Sequence, residues 1–292
     1  MGKDLEIIVL DNLCAGKFEN VSKHTNSKNF RFVRGDVRNS DLVRSLIKNV
    51  DAVFHQAAIV SVPKSLEEPV LVNEVNASGT LNLLKACVDC NVKRFVYASS
   101  SAVYGEVERM PIKEDCAPRP LSPYGVSKLS AESYVRVFWE VFGLETICLR
   151  YFNVYGPRQA PSEYSGVLTQ FMDRLARNLG LVIYGDGEQT RDFVHVYDVI
   201  EANILALRTK QAAGETFNVG TGIATTINQL ADMLLEITNK NHLGVTHSRH
   251  RKGEIKHSAA DISKAKVNLR YQPKISLKEG LKNLTERSCI QK

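Results

Sequence analysis

Tyr124 and Lys128 stand four residues apart at the start of a stretch, Tyr124 to Phe142, whose apolar residues recur at three- and four-residue spacing. On a helix such a pair shares one face, roughly 5 to 6 Å apart at Cβ. A free phenol titrates near 10, and a neighbouring ammonium favours its ionised form, so the pair is a candidate general base. Ser99-Ser100-Ser101-Ala102-Val103-Tyr104-Gly105 lies 20-odd residues earlier, directly after an apolar run. Hydroxyls at the carboxyl end of a strand stand where an α/β sheet builds its site. Asp11 closes the first apolar run of the chain. A carboxylate there accepts two hydrogen bonds from a ribose cis-diol. Arg34-Gly35-Asp36-Val37, His55-Gln56-Ala57-Ala58 and Asn76-Ala77-Ser78-Gly79-Thr80 follow in order. Each alone also reads as turn or cap chemistry; their order and spacing together point to a nucleotide site.

The elements that must position these residues alternate. Leu5 to Leu10, Phe30 to Val33, Ala52 to His55, Arg94 to Ala98 and Glu145 to Arg150 read as buried strands, rich in Val, Ile and Phe. Ser40 to Asn49, Val70 to Cys90 and Tyr124 to Phe142 read as amphipathic helices between them. The alternation predicts an α/β fold, a Rossmann-like doubly wound parallel sheet covered by helices on both faces. After residue 150 the texture changes to Gly- and Pro-rich loops with helices expected over Val167 to Leu179, Val196 to Leu207 and Ile227 to Thr238, and a strand over Thr216 to Val219. We therefore expect a nucleotide-binding domain over 1–152 and 190–222, and a smaller α/β substrate-binding domain over 153–189 and 223–292. A glycine-rich phosphate turn belongs about 20 residues before an acid such as Asp11. Only ten residues precede it, and neither G-x-x-G-x-x-G nor G-x-G-x-x-G occurs. The first βα unit is thus expected to be absent.

With 292 residues, 43% hydrophobic and 24% charged, the composition is that of a globular protein able to bury a large core without metal or disulfide staples. No run approaches the ~20 apolar residues of a membrane helix, and the start does not read as a secretory signal, so no membrane association and a cytoplasmic location are expected. Cys87 and Cys90 form the one C-x-x-C pair, without a second pair to complete a zinc site, and no metal is expected. The +6 charge is spread without a basic block or interleaved aromatics. That argues against nucleic acid and suits a polyanionic small molecule.

Taken together, Leu10-Asp11-Asn12-Leu13, Gly35-Asp36-Val37-Arg38, Ser99 to Gly105, Tyr124-Gly-Val-Ser-Lys128, Arg150 to Arg158 and Arg191-Asp192-Phe193-Val194-His195-Val196 resemble the extended short-chain dehydrogenases/reductases. Within them the chain resembles the nucleotide-sugar epimerase/dehydratase family, nearest its UDP-glucose 4-epimerases, from about Leu5 to Pro273. The resemblance implies NAD as cofactor and a UDP-sugar as substrate. Tyr124 becomes the acid/base on the sugar 4-hydroxyl, Lys128 the ligand of the nicotinamide ribose that lowers the phenol pKa, and Ser100 a hydrogen-bond partner of the same hydroxyl. Asp11, Asn12, Asp36, Val37, Ala57, Asn76 and Tyr151 match cofactor contacts, the charge of Asp11 disfavouring NADP. Asn153, Arg191 and Arg251 match diphosphate contacts, the arginine fork fitting two oxygens at once. Val167, Val182 and Tyr184 match the uridine pocket, and Glu254 an acid for the nucleotide ribose.

The reaction implied is epimerisation at C4 through a transient 4-keto sugar, the hydride lent to NAD and returned to the opposite face. The family's 4,6-dehydratases carry an acid pair after the serine, and its UDP-glucuronate decarboxylases an acid at the third position. Here the residues are Ser101 and Ala102, which favours epimerisation; a dehydratase, a glucuronate-acting relative or an inactive truncated remnant unable to hold NAD are the alternatives. Ser258, seven residues after Arg251, is small where relatives confined to plain hexoses carry Tyr, so N-acetylhexosamines are expected as substrates too. The family's helix-pair dimer contact, expected around Val135, Phe138, Trp139 and Phe142, makes a homodimer the expected assembly.

Overall fold

A computed structural model describes residues 5–159, 166–249 and 255–290, with side chains up to residue 286. The strands are β1 (Ile7–Asp11), β2 (Phe30–Arg34), β3 (Ala52–His55), β4 (Arg94–Ser100), β5 (Glu145–Tyr151), β6 (Asn153–Tyr155), β7 (Leu181–Tyr184), β8 (Thr190–Arg191), β9 (Phe193–His195), β10 (Thr216–Val219), β11 (Thr225–Thr226) and β12 (Val245–Ser248). The helices are α1 (Glu19–Ser22), α2 (Ser40–Ile47), α3 (Val62–Glu67), α4 (Pro69–Asn73), α5 (Gly79–Asp89), α6 (Pro123–Phe142), α7 (Val167–Ala176), α8 (Val196–Arg208), α9 (Ile227–Ile237), α10 (Ser263–Asn268) and α11 (Leu277–Ile290).

The central sheet runs β10-β5-β4-β3, every neighbour parallel, and β1 pairs with β2, also in parallel, as a separate ribbon. Among the described residues no strand joins β1 to β3, and Ile7, Ile8 and Phe54 are exposed along those strands. Alternation within β4 and β5 divides the core in two. Phe95, Tyr97 and Cys148 face the layer of α2, α5 and α6, whereas Val96, Ile147 and Leu149 face α8 and α10. A third apolar cluster, with Phe171, Leu181, Leu230 and Leu281, fills the later part of the chain.

The expected helix over Val70 to Cys90 is divided. α4 passes into a π-turn over Glu74–Ser78 before α5 begins, and that turn carries the buried Asn76. Its widened backbone gives Asn76 room to serve the neighbouring loop. Helix α6 is set by local chemistry: the Ser122 hydroxyl caps it by accepting from the Gly125 N–H, Pro123 fills the first turn, and Gly143 closes it at φ 69°. Val135 and Phe138 are core residues, and Trp139 lies over Gly214, so these three do not present the outward face expected of them. Tyr134, Val137 and Val141 do. No described helix is long and apolar enough to cross a membrane, and no described group of His, Cys, Asp or Glu could hold a metal.

Candidate active site

Three side chains from two elements meet at the carboxyl end of β4. Tyr124 and Lys128 are 7% and 3% exposed on the inner side of α6, and Ser100 ends the strand beneath them. Ser100 accepts from the Ala102 N–H at 3.2 Å, which starts the short turn Ser101–Val103, and its hydroxyl stands near enough to the Tyr124 phenol to work against the rise of its pKa. The Lys128 Nζ donates to the Ala98 carbonyl at 2.8 Å and stands 5.0 Å from the centre of the Tyr97 ring.

Burial works on the two titrating groups in opposite directions. It pushes the Tyr124 phenol above its ordinary value, with Ser100 working downward. It pulls Lys128 from 10.5 to about 7. The Lys128 ammonium is turned to a backbone carbonyl, and the downward pull on the phenol comes from Ser100. Beside Lys128, His55 is held neutral, its pKa lowered to about 3 by burial and then by the lysine charge. Its Nε2 lies 2.9 Å from the Thr80 hydroxyl, which donates to the Asn76 carbonyl at 2.6 Å.

The residues assigned to the cofactor lie at or just after the ends of β1, β2, β3 and β5, with Asn76 on the π-turn before α5. Asp11 ends β1 opposite Arg34 and accepts from the Leu13 N–H at 2.7 Å. Asn12 donates to Asp36 at 3.0 Å, and Arg38 grips the same carboxylate at 2.9 Å, holding it down at about 2. The Val37 side chain is buried in the core, against the α-carbon of Gly79. Ala57 lies in the loop after β3, and Asn76 clamps that loop: its amide accepts from the Ile59 N–H at 2.8 Å and donates to the Ile59 carbonyl and to Ser127, both at 3.0 Å. Tyr151, opposite Ser100 in the ladder, has its hydroxyl engaged by Gln56 at 3.2 Å and Asn203 at 2.7 Å, with burial raising it to about 12. An exposed carboxylate at a strand end, small residues in the next loop and a buried Lys-Tyr pair fit the ribose and nicotinamide ends of a dinucleotide.

The substrate half is brought together around β8. Asn153 pairs with Phe193, its N–H donating to the Asp192 carbonyl at 2.9 Å, one residue from Arg191. The Arg191 guanidinium donates to the Thr190 carbonyl at 2.8 Å. Ser258 is buried next to the same strand, its N–H donating to the Thr190 carbonyl at 3.1 Å. Val167 opens α7; Val182 and Tyr184 lie on β7, half-buried. Arg251 and Glu254 lie outside the described residues.

Sequence reasoning missed Asp192. This fully buried carboxylate accepts from the Thr221 N–H and hydroxyl, the Gly222 N–H and the Ala260 N–H, at 2.8, 2.6, 2.9 and 3.1 Å. It ties three separate loops into the wall that carries Arg191 and Ser258. His195 caps α8, accepting from the Tyr197 N–H at 3.2 Å.

A family model described as the NAD dependent epimerase/dehydratase family matches residues 1–220. The chain belongs to that family. It is similar to a UDP-glucose 4-epimerase of Thermotoga maritima solved with UDP-glucose, at 39% identity and a TM-score of 0.92, over 98% of this chain and 91% of that one. A UDP-N-acetylglucosamine 4-epimerase of Methanobrevibacter ruminantium solved with UDP-N-acetylmuramic acid is 37% identical, with a TM-score of 0.93 over the same shares. A UDP-glucuronic acid 4-epimerase of Bacillus cereus, solved with UDP-glucuronic acid and NAD, is 33% identical, with a TM-score of 0.91 over 98% of this chain and 92% of that one. The Rossmann-like fold and NAD as the family's cofactor follow.

Proposed function

We propose that this chain epimerises UDP-hexoses at C4, interconverting UDP-glucose and UDP-galactose and accepting UDP-N-acetylhexosamines, through a transient 4-keto sugar. The observation that carries the reading is the buried Tyr124 and Lys128 side by side on α6, at the strand end that carries the half-buried Ser100. NAD, when bound, supplies the hydride acceptor and donor. Asp11 and Lys128 hold its two riboses. Ser100 accepts and donates hydrogen bonds at the sugar 4-hydroxyl, and Tyr124 takes that proton and later returns it. Arg191, Asn153 and Arg251 hold the diphosphate. Val167, Val182, Tyr184 and Glu254 hold the uridine, and Ser258 leaves room at the sugar. Ser101 and Ala102 offer no acid to drive loss of water, which supports epimerisation over a 4,6-dehydratase or a glucuronate decarboxylase.

The domain division at 1–152 with 190–222 against the remainder belongs to the same reading, as does a cytoplasmic homodimer. Val62, Leu66 and Val70 of α3 and α4 with Tyr134, Val137 and Val141 of α6 give that dimer an apolar face. Turnover of UDP-galactose by wild type and Tyr124→Phe tests the reading. Loss of the acid/base is expected to lower kcat by about 10² to 10⁴ with bound NAD unchanged. A variant keeping more than about a tenth of the activity overturns the role of Tyr124, and a wild-type protein that does not turn over UDP-galactose overturns the epimerase reading.

A further inference from the structure

Tyr124 and Lys128 have a third member on their side of α6. Glu132 follows at the same four-residue step, so the three fall within an arc of about 80° and span about 12 Å of helix. All three are buried. Two of them are held by consecutive residues of β4, Lys128 by the Ala98 carbonyl at 2.8 Å and Glu132 by the Ser99 hydroxyl at 2.6 Å, and Tyr124 stands near the next residue, Ser100. Ser99 pairs with Arg150 across the β4–β5 ladder, and alternation turns both side chains to the α6 face. The Arg150 guanidinium meets the Glu132 carboxylate through Nε at 3.1 and 3.2 Å and through a second, shorter contact. It also donates to the Glu114 carbonyl at 3.1 Å and lies 4.7 Å from the centre of the Tyr104 ring.

We propose that Glu132 is a positioning residue for the reaction: clamped by Arg150 and Ser99, it locks α6 against β4 in the register that sets the Tyr124 phenol at Ser100. The proposal rests on the reading of Tyr124 as the acid/base. A buried carboxylate in hydrogen-bond contact with a fork of guanidinium nitrogens has one low-energy geometry, whereas apolar packing allows a helix to slide by fractions of an ångström. Misplacement of a reacting group by about 1 Å costs on the order of 10²-fold in rate. Glu132 stands two helical turns from Tyr124 and has its carboxylate occupied by Arg150 and Ser99, so its effect reaches the chemistry through the placement of α6 and of the strand end that carries Ser100.

The test uses the full chain with Glu132→Leu and Arg150→Leu combined, because removing both charges leaves neither one buried alone. With UDP-galactose as substrate we expect kcat to fall about 100-fold while KM stays within about threefold. In parallel, tyrosine ring-labelled protein is titrated by NMR, the Tyr124 signal being assigned by its loss in Tyr124→Phe. The groups facing Tyr124 and Lys128 are Tyr97 and His55, both unchanged in the variant. Loss of the Ser100 contact is expected to move the Tyr124 titration to higher pH. A folded double variant with unchanged kcat, or one in which the Tyr124 titration does not move, overturns the proposal. If the double variant does not fold, Ser99→Ala takes its place, with a fall in kcat of about tenfold and the same upward titration expected, and no change in either overturning the proposal. Because the ring signal reads position whether or not sugar turns over, an inactive wild type with a shifted Tyr124 titration sinks the epimerase reading and leaves the clamp standing.

Discussion

Lys128 offers the sharpest physical test, through stability rather than rate. The side chain is 3% exposed, its one hydrogen bond in the structure runs to the Ala98 carbonyl, and burial lowers its pKa from 10.5 to about 7. Below pH 7 both the folded and the unfolded chain hold the proton, and the folded state bears the whole cost of burying an ammonium. Between about 7 and 10.5 the unfolded chain binds more protons than the folded one, so this residue makes the free energy of unfolding rise with pH across that window. At 1.36 kcal/mol per pH unit the full span is on the order of 4 to 5 kcal/mol, and the part falling between pH 6 and pH 9 about 2.5 kcal/mol. Lys128→Met keeps the straight chain and removes the charge. It is expected to be more stable than wild type at pH 6 by roughly 1 to 3 kcal/mol, once the lost carbonyl bond and the contact with the Tyr97 ring are offset. That advantage shrinks by about 2.5 kcal/mol by pH 9. Urea unfolding of both proteins at several pH values measures the difference directly, and groups that titrate alike in both cancel. Stability differences that stay constant from pH 6 to pH 9 refute the reasoning: Lys128 then keeps its ordinary pKa and its ammonium is hydrated.

Two further substitutions probe the walls of the site. In Gly125→Ala a methyl group would lie 2.7 Å from the Ala102 carbonyl oxygen and 2.9 Å from Pro120, neither of them free to move, so we expect a loss of about 1 to 3 kcal/mol in thermal unfolding together with reduced turnover; a variant as stable as wild type contradicts the packing of α6 on the Ser101–Val103 turn. Ser258→Tyr fills the buried space beside Thr190, and is expected to lower turnover of UDP-N-acetylglucosamine relative to UDP-glucose by more than about tenfold. An unchanged ratio of the two substrates removes Ser258 from the sugar pocket.

What the sequence revealed follows from the range over which each signal acts. Helix α6, with its Ser122 cap, Pro123 and Gly143, is written in contiguous residues, and the four-residue step from Tyr124 to Lys128 is visible without any tertiary knowledge. Ser100 was legible because a strand end is also a local event. Glu132 lay in the same helical series, but its meaning depends on Ser99 and Arg150, 33 and 18 residues away on two strands, and only the ladder register brings those two side by side. Asp192 was missed for the same reason: the two loops whose N–H groups it gathers, at Thr221–Gly222 and at Ala260, are far from it in the chain. The π-turn at 74–78 carries no composition of its own, since Val70 to Cys90 keeps a helical apolar rhythm through it, and what fixes the turn is the Asn76 clamp on Ile59. Of the residues named for the helix-pair contact, Phe142 is exposed while Val135 and Phe138 turn to the core, because periodicity alone does not say which apolar stripe meets the sheet when both sides of the helix carry one.

Lys128 and Glu132 also explain each other. They are buried at similar depth one turn apart on α6, yet their charges are handled in opposite ways. Glu132 is fully compensated by a guanidinium and a hydroxyl, so its charge is fixed and its geometry rigid. Lys128 has a single carbonyl and the face of a ring, so its charge is left near the point of loss at neutral pH. A helix carrying only compensated charges would hold its place and present no group ready to exchange a proton; one carrying only uncompensated charges would not stay buried. The compensated pair supplies the rigidity that lets an uncompensated one persist. That division of labour places the tunable groups, Lys128 and Tyr124, toward the open carboxyl end of the sheet, where a polyanionic ligand can complete their surroundings, and places the fixed pair beneath them, where water does not reach.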